Sequence, residues 1–320
     1  MQIQCEVVTF GETMVLFSSE QYYPLEYVTH FQKQIGGAES NFAIGLQRLG
    51  HAVGWFSKLG NDPFGRYMLQ TIRGEGVDTS RCLFTDEAPT AVFFKEKKSP
   101  THFNVYYYRR NSAASRMTPD DLDADYIGRA KILHISGITP ALSASCRDTV
   151  YRAVDIAKKH GVKVSFDPNI RLKLWSAEEA RPVLTDLIQK ADIILPGMDE
   201  GELLTGKKTP EEVVQALKTR DDQTFVVKLG SEGAYYDHQG ECGYVPGFPA
   251  EMVDPVGAGD GFAAGIISGF LLEEPIRDAV RKANAIGALV IGVNGDMEGL
   301  PRKEEVDALL NDTQRRDVHR

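Results

Sequence analysis

From about residue 130 onward, apolar and polar positions alternate between two periods. KILHISGI reads as a buried strand, and SASCRDTVYRAVDIAKKHG as an amphipathic helix closed by Gly161. KVSFDPN is the next strand, AEEARPVLTDLIQKA a helix and DIILP a strand. After a short helical stretch comes the strand TFVVKLG. Strands separated by helices of this length predict βαβ units, and so a parallel sheet covered on both faces. The last hundred residues turn helical, near 260–272, 276–293 and 302–312, and the polar NDTQRRDVHR is expected to fray.

Two stretches break this rhythm. Residues 12–34 and 88–112 are rich in β-branched and aromatic residues without helical periodicity, as in TAVFFKEK and THFNVYYYRR. They read as strands that pair into one small sheet beside the main α/β body, a lid on a single domain spanning residues 1–320.

Composition narrows the partners. The chain has 320 residues, 42% of them apolar, which is ample for a large core. With 36 Lys and Arg against 45 Asp and Glu, the formal net charge is −9. Nucleic acid and anionic membrane both reward a basic face, so neither is expected as partner. MQIQCEVVTFGE lacks the basic start and apolar run of a signal peptide, and Phe262 to Leu272 is too short to span a bilayer. Cys5, Cys82, Cys146 and Cys242 lie far apart with no CxxC, which suits free thiols in a reducing cytoplasm. No HExxH or other structural metal pattern occurs.

Gly201 to Lys207 matches GxxxxGK, but Lys208 stands where a P-loop needs Ser or Thr, and the stretch lies late in a helix. No GxGxxG opens a helix in the first βα unit. DPVGAGDGF, residues 254–262, is different. If Asp260 starts a helix, free N–H groups of Gly257, Ala258, Gly259 and the first turn converge on one point that attracts an anion. A carboxylate there repels a phosphate but is well placed to take a proton from a hydroxyl attacking it. The bland alternative is an Asp cap on a closely packed helix.

QIGGAESNFAIGLQRLG sets Gly36 and Gly37 before a helix with Asn41 near its start. This is either an ordinary turn and cap or a backbone surface for a polyhydroxylated ligand. In YYYRRNSAAS, Tyr107 and Arg109 share one face of a strand. Arginine's fork suits a carboxylate or phosphate, although a solvated edge strand uses arginine equally well. Arg171, in SFDPNIR, follows a strand at the sheet edge where ligands bind in open α/β folds, or is a surface loop residue.

Together these residues resemble the ribokinase (PfkB-type) family of carbohydrate kinases over nearly the whole chain. GGAESN is similar to the family's amino-terminal motif, DPVGAGDGFAAG to its carboxy-terminal one, and VVKLGSEGAYY to its nucleotide-site segment. The resemblance implies an α/β fold, a three-layer α/β/α sandwich with a mainly parallel sheet and a β-sheet lid. It implies ATP and Mg2+ as cofactors, with room for a monovalent cation. An exposed lid sheet often becomes an interface, so a homodimer or higher homo-oligomer is compatible with the chain. Asp260 would be the base and Gly257, Ala258 and Gly259 the anion hole, while Lys228, Gly230, Ser231, Gly233 and Asn284 would line ATP. Of the family's N-x-x-E motif only Glu200 carries over for the metal, because Gly197 takes the Asn position.

HISGITPALS, the Tyr107-Tyr108-Arg109 pattern, DPNIR and GDMEGLP are most similar to family members that phosphorylate 2-keto-3-deoxygluconate. By that resemblance Gly37, Asn41, Tyr107, Arg109, Arg171 and Asp296 bind a sugar acid. Phe93 stands where a lid tyrosine is expected. Three other readings stay open: a kinase for a neutral ketose such as fructose, a binding or regulatory protein without the chemistry, and an enzyme that cleaves a nucleoside or phosphosugar.

Overall fold

A computed structural model of the chain describes residues 5–99 and 102–318, the last seven as backbone only. Its central sheet has eight strands in the order Glu241–Val245, Ala234–His238, Thr224–Lys228, Ile193–Ile194, Lys163–Asp167, Ile132–Ser136, Val7–Phe10 and Val53–Phe56. The last six are mutually parallel, and the first two add antiparallel at one edge. Adjacent residues on these strands enter opposite cores. Val7, Ile132, Ile193 and Val226 pack in one apolar cluster, and Val8, Leu133, Ile194 and Val227 in another. That period of two, buried on both sides, makes a three-layer sandwich.

The expected helices form where the caps allow. Ser143 Oγ accepts from the Cys146 N–H at 3.0 Å and starts Ala144–Lys159, and Gly161 leaves it at φ 72°. Ser176 and Glu179 form a capping box on Ala177–Lys190. The short helical stretch before TFVVKLG is two helices, Met198–Thr205 and Pro210–Leu217. GELLTGK is the end of the first and its left-handed Gly206 cap, not a phosphate loop. The polar tail does not fray at 311: it continues the helix Lys303–Val318, and residues 319–320 lie outside the described residues, as do MQIQ at the start.

The four strands Gln32–Gly36, Met14–Ser18, Val92–Ser99 and His102–Tyr108 form a second sheet in that order. Its middle pair is parallel and its outer pairs antiparallel. Its own core is small, built on Met14, Leu16, Ala91 and Phe93. Among the described residues no helix is long and apolar enough to cross a membrane, and the four cysteines are unpaired.

Candidate active site

In the main sheet, Val7–Phe10 has Val53–Phe56 on one side and Ile132–Ser136 on the other, so chain connections leave it in opposite directions. A crevice opens beyond the carboxyl ends at such a switch point. Here it becomes a cavity of about 870 Å³, roofed by the small sheet. Asp167 and Lys228 reach it from strand ends, Gly257, Gly259 and Asp260 from a helix start, and Phe93, Tyr107 and Arg109 from the roof.

The helix Ala258–Leu271 begins at Gly257, held at φ 82°. A Cβ at Gly257 would lie 2.2 Å from the Asp296 carbonyl, so only glycine fits. At Gly259 the nearest protein atom to an added Cβ is the Lys228 ammonium at 3.8 Å. That glycine leaves space free on the cavity side of the helix N-terminus, where first-turn N–H groups lack helical acceptors. Ala258 is off the cavity wall and its N–H faces the Pro255 carbonyl at 3.5 Å, so it is Gly257, Gly259 and Asp260 that line the cavity at the helix start.

Asp260 Oδ2 accepts from Asn41 Nδ2 at 2.9 Å. Burial pushes its carboxyl up to about 7, with Asp167 adding repulsion and Asn41 pulling the other way. Lys228 bonds Asp167 at 2.7 Å. Burial alone would lower its pKa, but the Asp167 and Glu200 carboxylates outweigh that and hold the ammonium charged. A fixed cation therefore stands beside the free space at Gly259.

On the opposite wall, Gly37 has extended backbone and is glycine for closeness: a Cβ would lie 2.7 Å from the Glu12 carbonyl. Asp296 is buried, burial raises it to about 7, and its Oδ1 has no partner within the protein. Asn41 Oδ1 is also unpartnered. Two orphan acceptors on one wall suit a ligand with several hydroxyls. Phe93 stacks on Tyr107 at 5.6 Å, and Arg171 donates to the Ile170 carbonyl at 3.3 Å.

The chain matches the model of the pfkB family carbohydrate kinases over residues 4–303. The chain belongs to the pfkB family of carbohydrate kinases. It is 44% identical over 313 residues to the 2-dehydro-3-deoxygluconokinase of Bacillus subtilis (strain 168), covering 97% of this chain and 96% of the relative. It is 36% identical to the enzyme of that name from Thermoproteus tenax, covering 95% and 94%. A crystal structure from E. coli, described as a ribokinase II in complex with ATP and Mg2+, superposes with a TM-score of 0.89 at 29% identity, over 96% of this chain and 99% of that one.

Within this pfkB fold, not every expected residue reaches the cavity. Asn284 spends its amide on the Val245 and Pro246 carbonyls, both at 3.1 Å. Gly233, at φ 104°, is packed against the Val245–Gly247 backbone, and Ser231 is exposed beside it. Gly230 lines the cavity. Arg109 is not free: it bonds buried Glu12 at 2.6 Å, and Ser112 donates to the same carboxylate. Glu200 accepts from the Gly197 and Ile170 N–H groups, both at 2.7 Å. Burial raises Glu200 and Lys228 opposes that rise. Among the described residues no cluster of three His, Cys, Asp or Glu stands ready for a metal. Mg2+ commonly keeps its waters and takes one or two carboxylates plus phosphates, and Glu200 with Asp167 fits that need.

Sequence reasoning missed Glu12, Asp167, Glu39 and the buried pair Lys95–Asp254. Asp167 stands in the quoted DPNIR, and Asp254 opens the GAGD motif. Nothing local in sequence marked Glu12 or Lys95.

Proposed function

We propose that this pfkB-family kinase transfers the γ-phosphoryl group of ATP to the terminal hydroxyl of 2-keto-3-deoxygluconate. The observation that carries the chemistry is Asp260 at the helix start, bonded by Asn41 beside the open space at Gly259. Asp260 accepts the hydroxyl proton as the substrate oxygen bonds the γ-phosphorus. The bond from that phosphorus to the β–γ bridging oxygen breaks, and ADP leaves with the electron pair. The transition state is loose, so a weak base that orients the hydroxyl suffices. N–H groups at the helix start and the Lys228 ammonium stabilise charge on the phosphoryl oxygens. Mg2+ carried with the nucleotide would be held by Glu200 and Asp167 and would neutralise phosphate charge.

The sugar-acid choice is supported by Arg171, whose guanidinium has no carboxylate partner, and by the names of two relatives. The chain then works as one domain, with the small sheet as lid. ADP release with ATP and Mg2+ across 2-keto-3-deoxygluconate, 2-keto-3-deoxygalactonate, fructose and ribose tests it. Turnover of the keto-deoxy acid, lost in Asp260→Asn, is expected. Because Glu12 already matches the charge of Arg109, a neutral ketose is the second reading, and turnover of fructose alone would select it.

A further inference from the structure

A second cavity, of about 1190 Å³, lies behind the sugar site and shares its wall of Tyr107, Arg109 and Arg171. The outer lid strand, the segment before Ala144–Lys159 and residues 170–174 enclose it. Arg109, Arg110, Arg116, Arg171 and Lys173 line it, and no aspartate or glutamate does. In a chain with 45 acidic against 36 basic residues, that wall runs against composition.

Of these cations only Arg109 has a buried carboxylate partner. Arg116 comes no closer than 3.9 Å to Glu87, and both side chains are exposed. Lys173 meets the Val105 carbonyl at 3.4 Å and sits over the Tyr107 ring, and Arg110 is exposed. Like charges gathered without counter-charge repel one another, and a bound anion removes that repulsion.

We propose that this cavity is a second anion site, taking a small phosphorylated sugar acid. A phosphate and a carboxylate at the two ends of a short chain match guanidinium forks set around one space. The volume, somewhat above the usual small-molecule pocket, far exceeds a phosphate ion. The sugar-acid part of the assignment rests on the proposed function, since the reaction's product has this chemistry; the anion site itself does not. An occupant would press on Tyr107, Arg109 and Arg171 from behind, so the product would raise KM for the sugar.

The test is titration calorimetry of the full chain with 6-phosphogluconate, gluconate and inorganic phosphate. The wild type binds 6-phosphogluconate best, and Arg110→Ala/Arg116→Ala weakens that binding at least about ten-fold, as loss of a charged hydrogen bond implies. That variant keeps kcat and KM for the sugar without added phosphate ester. Absent binding, or binding unchanged in the double variant, overturns the site. Inorganic phosphate binding as tightly as 6-phosphogluconate overturns the sugar-acid assignment. The readout is heat of binding, so a failed kinase assay leaves this test standing.

Discussion

The floor of the active site and its roof are built on different principles. On the floor, Asn41 bonds Asp260 at 2.9 Å and Lys228 bonds Asp167 at 2.7 Å, and all four stand on elements anchored in the two large cores. The roof has a core of a few side chains, and Tyr106, Tyr107 and Tyr108 are exposed on its outer strand. A transferring phosphoryl group demands preorganised charge, which rigid elements supply. A sugar has to enter and leave, which favours an element of low local stability. We therefore expect substitutions on the floor to act mainly on rate and loosening of the roof to act mainly on substrate entry and release.

The largest effect should come from the floor. Asp260→Asn removes the base and should lower kcat by about 10³-fold with little change in KM for either substrate. Steady-state ADP release measures it, and a KM effect without a kcat effect would refute the role of base. The same substitution should stabilise the fold. Folding raises this carboxyl to about 7, so its contribution is fully present below the unfolded value near 4 and lost as pH rises towards 7. Asparagine has nothing to lose, so the variant's advantage in Tm should grow from pH 5 to pH 8, reaching about 2 °C or more.

Next comes a buried tie between roof and floor. Lys95, on the lid strand Val92–Ser99, is 3% exposed and pairs with Asp254, 2% exposed, six positions before Asp260. Asp254 also accepts from the Gly295 and Val256 N–H groups, both at 3.2 Å. Lys95→Met should cost about 3 kcal/mol or more, because a buried carboxylate loses its counter-charge. Lys95→Met/Asp254→Asn should recover much of that loss in urea unfolding. Equal loss in single and double variants would mean the pair does not couple the two regions.

Legibility in the sequence divides along the same line. The helix start on the floor was legible because its parts are local: a glycine turn, a helix start and a carboxylate lie within a few residues of DPVGAGDGF. The alternation of βα units gave the three layers for the same reason. The roof's charge pairs were not readable, since Glu12 and Arg109 stand 97 positions apart and Lys95 and Asp254 stand 159 apart. Arg109, expected to meet a substrate carboxylate, carries a debt to Glu12 that no spacing could reveal. Asn284 and Gly233 show another limit of spacing, since the Asn284 amide donates to the Val245 and Pro246 carbonyls and Gly233 packs against the same backbone, neither of which the motif announces.

That debt decides how selectivity should be probed. Arg109→Ala would leave Glu12 buried and unpaired, mixing stability with binding. Arg171→Ala breaks one carbonyl contact at 3.3 Å and no ion pair among the described residues, although the Arg171 charge also favours the ionised form of Asp260. It should raise KM for the keto-deoxy acid about ten- to hundred-fold while sparing kcat and KM for ATP. Equal KM in wild type and variant would move the acid end of the substrate elsewhere.

The smallest effect tests whether Asn41 tunes the base or merely holds it. Asn41 donates to Asp260 Oδ2, which favours the charged carboxylate against the burial that raises it to about 7. The base must be ionised to accept a proton, so kcat/KM should fall as pH drops below about 7. Asn41→Ala removes the donor, raises the carboxyl further and should move that acid limb up by about one pH unit. Asn41 also offers its Oδ1 to the sugar, so KM will rise as well, but a lost sugar contact lowers kcat/KM equally at every pH. Only the shift of the limb isolates the bond to Asp260. A uniform drop with an unmoved limb would make Asn41 a sugar contact alone, and the floor would then owe the tuning of its base to burial.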